Sequence, residues 1–196
     1  MNTTQTDKSP INIFVVVHDD VPPSAKQDMH VNYFAHLADE LQSFTDRKVN
    51  VIYGAGAPYS RFEYKGDNAL EILQRWKKLA EQYLAAYKNE GFIINRLSLV
   101  LLFTKDAING NTSGAALVDL PQSNGQFAIS SGESYLYPAH EIGHLLGAKH
   151  QNFEVNYNGW WCETYMAPNA HLLRTNCYKY SPENREAIKN YLATLD

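Results

Sequence analysis

Apolar and polar positions along the chain fall into blocks that predict strand, helix, strand, helix and strand over the first hundred or so residues. Ile13–Val17 is a β-branched and aromatic run that stops at a His-Asp-Asp-Val-Pro-Pro loop, which predicts a buried strand. Val31, Phe34, Ala38 and Leu41, flanked by Leu37 and Phe44, recur at spacings of three and four, so an amphipathic helix is expected from about Ser24 to Phe44. Val49–Tyr53 predicts a short second strand, and Gly54–Pro58 a loop. Asp67 is the expected N-cap of a second helix with Leu70, Leu73, Ala80, Leu84 and Tyr87 on one face. Gly91 stands where that helix needs left-handed backbone to stop.

Leu97–Phe103 is the most apolar strand, hence central. After a polar loop, Ala115–Val118 and Phe127–Ile129 predict two more short strands. Ser181-Pro182-Glu183 reads as a helix start: a cap, a proline at the first helical position, then an acid near the positive helix end. Ile188, Tyr191, Leu192 and Leu195 give that last helix its buried face. The alternation predicts a mixed α/β sheet in a single domain spanning 1–196, with residues 1–10 a disordered tail.

Composition narrows the functional classes. A chain of 196 residues buries about two-thirds of its unfolded surface without needing staples. A formal net charge of −4 excludes a strongly basic nucleic-acid footprint. No apolar run approaches the ~20 residues that cross a bilayer. Two cysteines are too few for a disulfide scaffold or a four-cysteine zinc site. The opening MNTTQTDKSP is polar and is no signal peptide, so the chain is either intracellular or a mature form without its leader. Seven histidines are the feature composition leaves unexplained.

Three of them fall in His140-Glu-Ile-Gly-His-Leu-Leu-Gly-Ala-Lys-His150. On a helix, residues four apart share a face, so His140 and His144 can offer nitrogens to one metal. Glu141 lies beside that position, where a carboxylate can accept a proton from water activated by the metal. A ligand six residues after His144 would lie ~9 Å further along a straight helix. Gly147 removes the difficulty, because glycine adopts positive φ, ends the helix and lets His150 turn back. Three neutral nitrogens with one open position is the donor set of a catalytic zinc, with one ion per chain.

The pattern His140-Glu141-x-x-His144-x-x-Gly147-x-x-His150 resembles the metzincin zinc signature, and Tyr165-Met166-Ala167-Pro168 stands sixteen residues on, where that group carries its Met-turn. The strand–helix–strand–helix–strand opening, a cysteine shortly before the turn (Cys162) and Met-x-Pro make the adamalysin/reprolysin-like peptidases the nearest resemblance. It implies a twisted mixed sheet with an antiparallel edge strand, two backing helices, a zinc-binding active-site helix, a Met-turn and a C-terminal helix. It implies that Met166 lies beneath the zinc as a hydrophobic floor; as an ordinary core methionine it would be buried just as well. It implies that substrate pairs with the edge strand Ala115, Ala116, Leu117 and Val118, and that the protein is a zinc endopeptidase acting on proteins or peptides.

Cys162 and Cys177, fifteen residues apart, are either two buried thiols or a bridge, and the position suits a bridge in a secreted peptidase. A secreted or extracytoplasmic monomer is expected on this reading, and a cytoplasmic chain on the other. Two alternatives accompany it. One is a catalytically weak or inactive zinc-containing module that binds a protein partner, against which Glu141 stands. The other is an archaemetzincin-like aminopeptidase, whose second zinc two cysteines cannot supply. His18, His30, His36 and His171 have no ligand spacing and are expected on surfaces or loops. Trp160 and Trp161 are expected as core or cleft wall.

Overall fold

The computed structural model describes residues 8–118, 125–157 and 159–195. β1 (Ile11–Val17), β2 (Val49–Gly54), β3 (Ser98–Thr104), β4 (Gly114–Ala116) and β5 (Phe127–Ser131) form one sheet in the order β2-β1-β3-β5-β4. β2, β1, β3 and β5 are parallel, and β4 is an antiparallel edge paired to β5, Gly114 opposite Ser130 and Ala116 opposite Ala128. β3 is central and wholly buried, as its apolar run predicts. A parallel sheet is covered on both faces, which is why its strands read as continuous apolar runs. Ile11, Ile13, Val15 and Val17 point into one core, Phe14 and Val16 into the other. The first expectation about architecture, a mixed α/β sheet with an antiparallel edge, holds.

α1 (Pro23–Met29) and α2 (Ala35–Thr45) cover one face, joined by a π-helical segment, His30–Phe34. The single helix expected here is therefore interrupted. Met29, Phe34, Leu37 and Leu41 are the buried positions. The five-residue gap between Met29 and Phe34 exceeds an α-helical turn, and the wider π turn absorbs it. Val31, expected on the buried face, is 65 % exposed as a result. α3 (Ala69–Asn89) covers the opposite face through Ile72, Leu73, Trp76, Ala80, Tyr83 and Leu84, and Leu70 faces solvent instead. Its N-cap is Asn68, whose side chain accepts from the Glu71 N–H, rather than Asp67. Gly91 has φ +95° just beyond the helix end, as expected.

The predicted strand Ala115–Val118 starts one residue earlier and ends at Ala116. Its partner β5 begins at Phe127, so the ladder runs out there, and a last Leu117 N–H donates to the Phe127 carbonyl at 2.9 Å. The tail expected over 1–10 falls outside the described residues up to residue 7; at residue 9 the Ser9 carbonyl accepts from Arg47.

α4 (Tyr137–Leu145) follows β5 and lies on the α2 face. A smaller sheet, β6 (Val155–Tyr157), β7 (Trp161–Glu163) and β8 (Thr175–Asn176), comes next, with Cys162 and Cys177 bridged across it. Trp161 in β7 and Trp160 just before it are 53 % and 59 % exposed, so neither is a core residue, and neither lines the cleft over His140, His144 and His150. α5 (Pro182–Ala193) closes the chain on Ile188 and Leu192, with Ser181 as its N-cap accepting from the Asn184 N–H.

Candidate metal centre

α4 carries His140, Glu141 and His144, with Pro138 tolerated in its first turn, where N–H groups lack helical partners. The helix stops in a Schellman motif: Gly147 N–H donates to the His144 carbonyl at 3.1 Å, and Ala148 N–H to the Gly143 carbonyl at 2.9 Å. Gly147 has φ +92°, the left-handed region that glycine enters without a Cβ clash. The turn sends the chain back, and the His150 ring returns to the helix. The Nε2 atoms of His140 and His150 lie 2.8 Å apart, those of His144 and His150 2.9 Å, and those of His140 and His144 3.1 Å.

The second nitrogen of each helical histidine is held by a backbone carbonyl. His140 Nδ1 donates to the Tyr165 carbonyl at 2.8 Å, and His144 Nδ1 to the Ala148 carbonyl at 3.2 Å. A carbonyl only accepts, so the proton sits on Nδ1 and both Nε2 atoms present lone pairs to the centre. Burial, then the neighbouring imidazoles, hold His140 down to about 3, and burial, then His150, holds His144 down to about 4. Burial lowers His150 as well. Lone pairs aimed at one another from about 3 Å repel, and a cation between them removes the repulsion. The separations approach the ~3.3 Å edge of a tetrahedron with ~2.05 Å metal–nitrogen bonds. These three histidines can hold a metal ion, and among the described residues they are the one such group of three or more.

Glu141 is buried beside them, and burial pushes its carboxyl up to about 8. Met166 is fully buried in the turn after β7, with its sulfur against Gly143 of α4: a Cβ added at that glycine would meet Sδ at 2.6 Å. The cleft above the histidines has a volume of about 440 Å3 and is bounded by β4, α4 and the 167–170 segment. Gly114, Ala115, Ala116 and Val118 line it; Leu117 does not and packs toward the α3 face.

The third histidine depends on long-range contacts made by α5 and the residue that caps it. Asn184, wholly buried in the first turn of α5, grips the backbone next to His150: its Oδ1 accepts from Lys149 N–H at 2.8 Å, and its Nδ2 donates to the Lys149 carbonyl at 3.2 Å. Ser181 donates to the Asn152 carbonyl. α5 is anchored in turn by Glu40 of α2, which accepts from Arg185 at 2.7 and 2.9 Å and from the Tyr180 N–H at 2.8 Å. No local motif announces these pairings; a buried polar residue one turn into a helix is their only sequence trace. The other four histidines serve elsewhere: His18 by Asp20, His30 by Tyr53, His36 against the Tyr178 ring and His171 capping Leu173 N–H.

Solved structures share this arrangement of elements. Metalloproteinase-II from Bacteroides fragilis superposes with a TM-score of 0.54 over 94% of this chain, at 17% identity. The chain shares its overall fold with that metalloproteinase. A chaperone–substrate complex superposes with the same TM-score of 0.54 over 96% of this chain, at 14% identity. The chain spans 53% of the length of the first and 35% of the second. No protein-family model and no curated protein sequence matches it.

Proposed function

We propose that the chain is a zinc endopeptidase of the metzincin type, nearest the adamalysin/reprolysin-like catalytic domains. The convergence of three neutral Nε2 atoms beside the buried Glu141 carboxylate, in one open cleft, carries this reading. Three nitrogen donors with an accessible side suit a catalytic zinc, whereas a structural site would close the fourth position with protein. When bound, the ion supplies an activated water and polarises the scissile carbonyl. The remaining steps belong to the chain. His140 and His144 are held in the tautomer that donates electrons inward, and the turn at Gly147 brings His150 to the same point. Glu141 accepts the proton of the attacking water and hands it to the leaving amine. Burial favours its protonated form, so its work as a base would call for a positive charge beside it, such as a cation held by His140, His144 and His150 would supply.

Substrate lies extended along β4, the last strand of the sheet, and pairs through its backbone in the β-addition mode, with Ala115, Ala116, Leu117 and Val118 as the substrate strand. Met166 forms the floor of the centre in the role of a Met-turn methionine. The Cys162–Cys177 bridge suits an oxidising compartment, so the protein acts as a secreted or extracytoplasmic monomer on protein or peptide substrates. No helix among the described residues is long and apolar enough to cross a membrane.

The test is a Glu141→Ala variant, loaded with zinc, incubated with a broad peptide mixture and read by mass spectrometry. The expected loss of cleavage is about 10²–10⁴-fold with zinc content unchanged. If the zinc-loaded wild type cleaves nothing that the variant leaves intact, the peptidase reading is wrong and a zinc-containing binding module takes its place.

A further inference from the structure

Gly114 opens the edge strand on the face turned to α4. Side chains alternate along β4: Ala116 packs on the α4 side of the sheet, Ala115 and Leu117 on the α3 side. Gly114, two residues before Ala116, therefore belongs to the α4 side, where it meets Glu141. A Cβ built at Gly114 would lie 2.5 Å from Glu141 Oε1 and 2.9 Å from both Cδ and Cγ. Those distances leave no room for any side chain while the carboxylate keeps its place. The backbone at Gly114 is not left-handed, since the positive-φ glycines of the chain are others. Space alone, not conformation, calls for glycine at this position.

We propose that Gly114 is a positioning residue for the general base: its bare Cα is the seat on which the Glu141 carboxylate rests, level with the edge strand along which a substrate backbone would run. This rests on the reading of Glu141 as the base. Without the seat, the carboxylate is driven off the strand, away from where the attacking water and the leaving nitrogen meet. Gly114 itself touches no reacting atom. Its effect passes entirely through Glu141, which makes the pair separable by a double-mutant cycle.

The experiment combines Gly114→Ala with Glu141→Ala in full-length, zinc-loaded protein. Gly114→Ala alone is expected to lower the melting temperature by about 2–12 °C, from the ~1–3 kcal/mol cost of overpacking and the ~2–4 °C per kcal/mol of a chain of this size. In the Glu141→Ala background, where the carboxylate is gone, the same substitution is expected to cost less than about 1 °C, because alanine suits a strand better than glycine does. In the active background, Gly114→Ala is expected to lower kcat at least tenfold while KM stays within about twofold and zinc content stays at one per chain. A crystal structure of Gly114→Ala should show the Glu141 carboxylate displaced with the three imidazoles in place. An equal melting-temperature loss in both backgrounds would overturn the proposal, and so would a wild-type kcat in the variant. The thermal arm does not depend on turnover. A chain that cleaves nothing defeats the peptidase reading, and the melting temperatures alone then decide whether Gly114 seats Glu141.

Discussion

Replacing Asn184 should loosen the metal without touching a metal ligand. Its amide makes two bonds to Lys149, one to each backbone polar group, and the side chain has no exposure to water. Removing both in Asn184→Ala forfeits about 1–3 kcal/mol, at the usual ~0.5–1.5 kcal/mol for each bond. For a chain of this length that lowers the melting temperature by roughly 3–10 °C. Asn184→Asp is the sharper probe. The acceptor for Lys149 N–H survives, but the donor becomes an oxygen facing the Lys149 carbonyl oxygen, in a site with no water to relieve the repulsion. Since Lys149 precedes His150, either change frees the third imidazole to wander. Outer partners of metal ligands are typically worth 10–100-fold in affinity, and a loss in that range is expected here. The assay is competition for zinc between the folded protein and a chromophoric chelator, with Asn190→Ala as a control on the exposed side of the same helix. If both Asn184 variants melt early yet hold zinc within about twofold of wild type, Asn184 serves the fold only, and no coupling runs from it to the metal.

Two further outcomes follow from the same centre. Gly147→Ala places a side chain at φ +92°, a left-handed conformation costing about 1–2 kcal/mol, with its Cβ only 3.2 Å from Tyr191 Cβ; a melting temperature within 1 °C of wild type would contradict it. In metal-free protein kept in chelator, stability should decline as pH falls from about 6.5 toward 4. His140 and His144 titrate near 3 and 4 when folded and near 6.5 when unfolded, so below that pH the unfolded chain binds more protons; denaturant midpoints that stay level between pH 7 and 4.5 would refute this.

The legible parts of this protein are those written in local spacing. A four-residue interval on a helix, followed three residues later by a glycine, sets the His140–His144–His150 cluster through helix geometry and one Schellman turn, and both are short-range. The strands of the parallel sheet are legible for the same reason, since burial on two faces leaves uninterrupted apolar runs. Local spacing misleads where an interrupted helix or a neighbour distant in sequence decides the outcome. Val31 is exposed because a π turn shifts the apolar stripe between Met29 and Phe34, and periodicity alone assumes an unbroken helix. The edge strand ends at Ala116 because β5 starts at Phe127. Asn184 and Glu40 gain their roles from partners 35 and about 140 residues away, which no window along the chain contains.

The clamp formed by α5 also sets an order of events during synthesis. Domains form as the chain emerges from its N-terminal end, so the three histidines, Glu141 and the turn at Gly147 are made 34 to 44 residues before Asn184. Until Ser181, Asn184 and Arg185 exist, the backbone at 149–152 lacks the clamp from α5 and that clamp's ion pair with Glu40. A nascent chain therefore carries every ligand yet holds metal weakly. Tight capture of a metal would wait for α5 to dock. A translation product stopped before Ser181 would hold a metal weakly for that reason, although its histidine signature is complete.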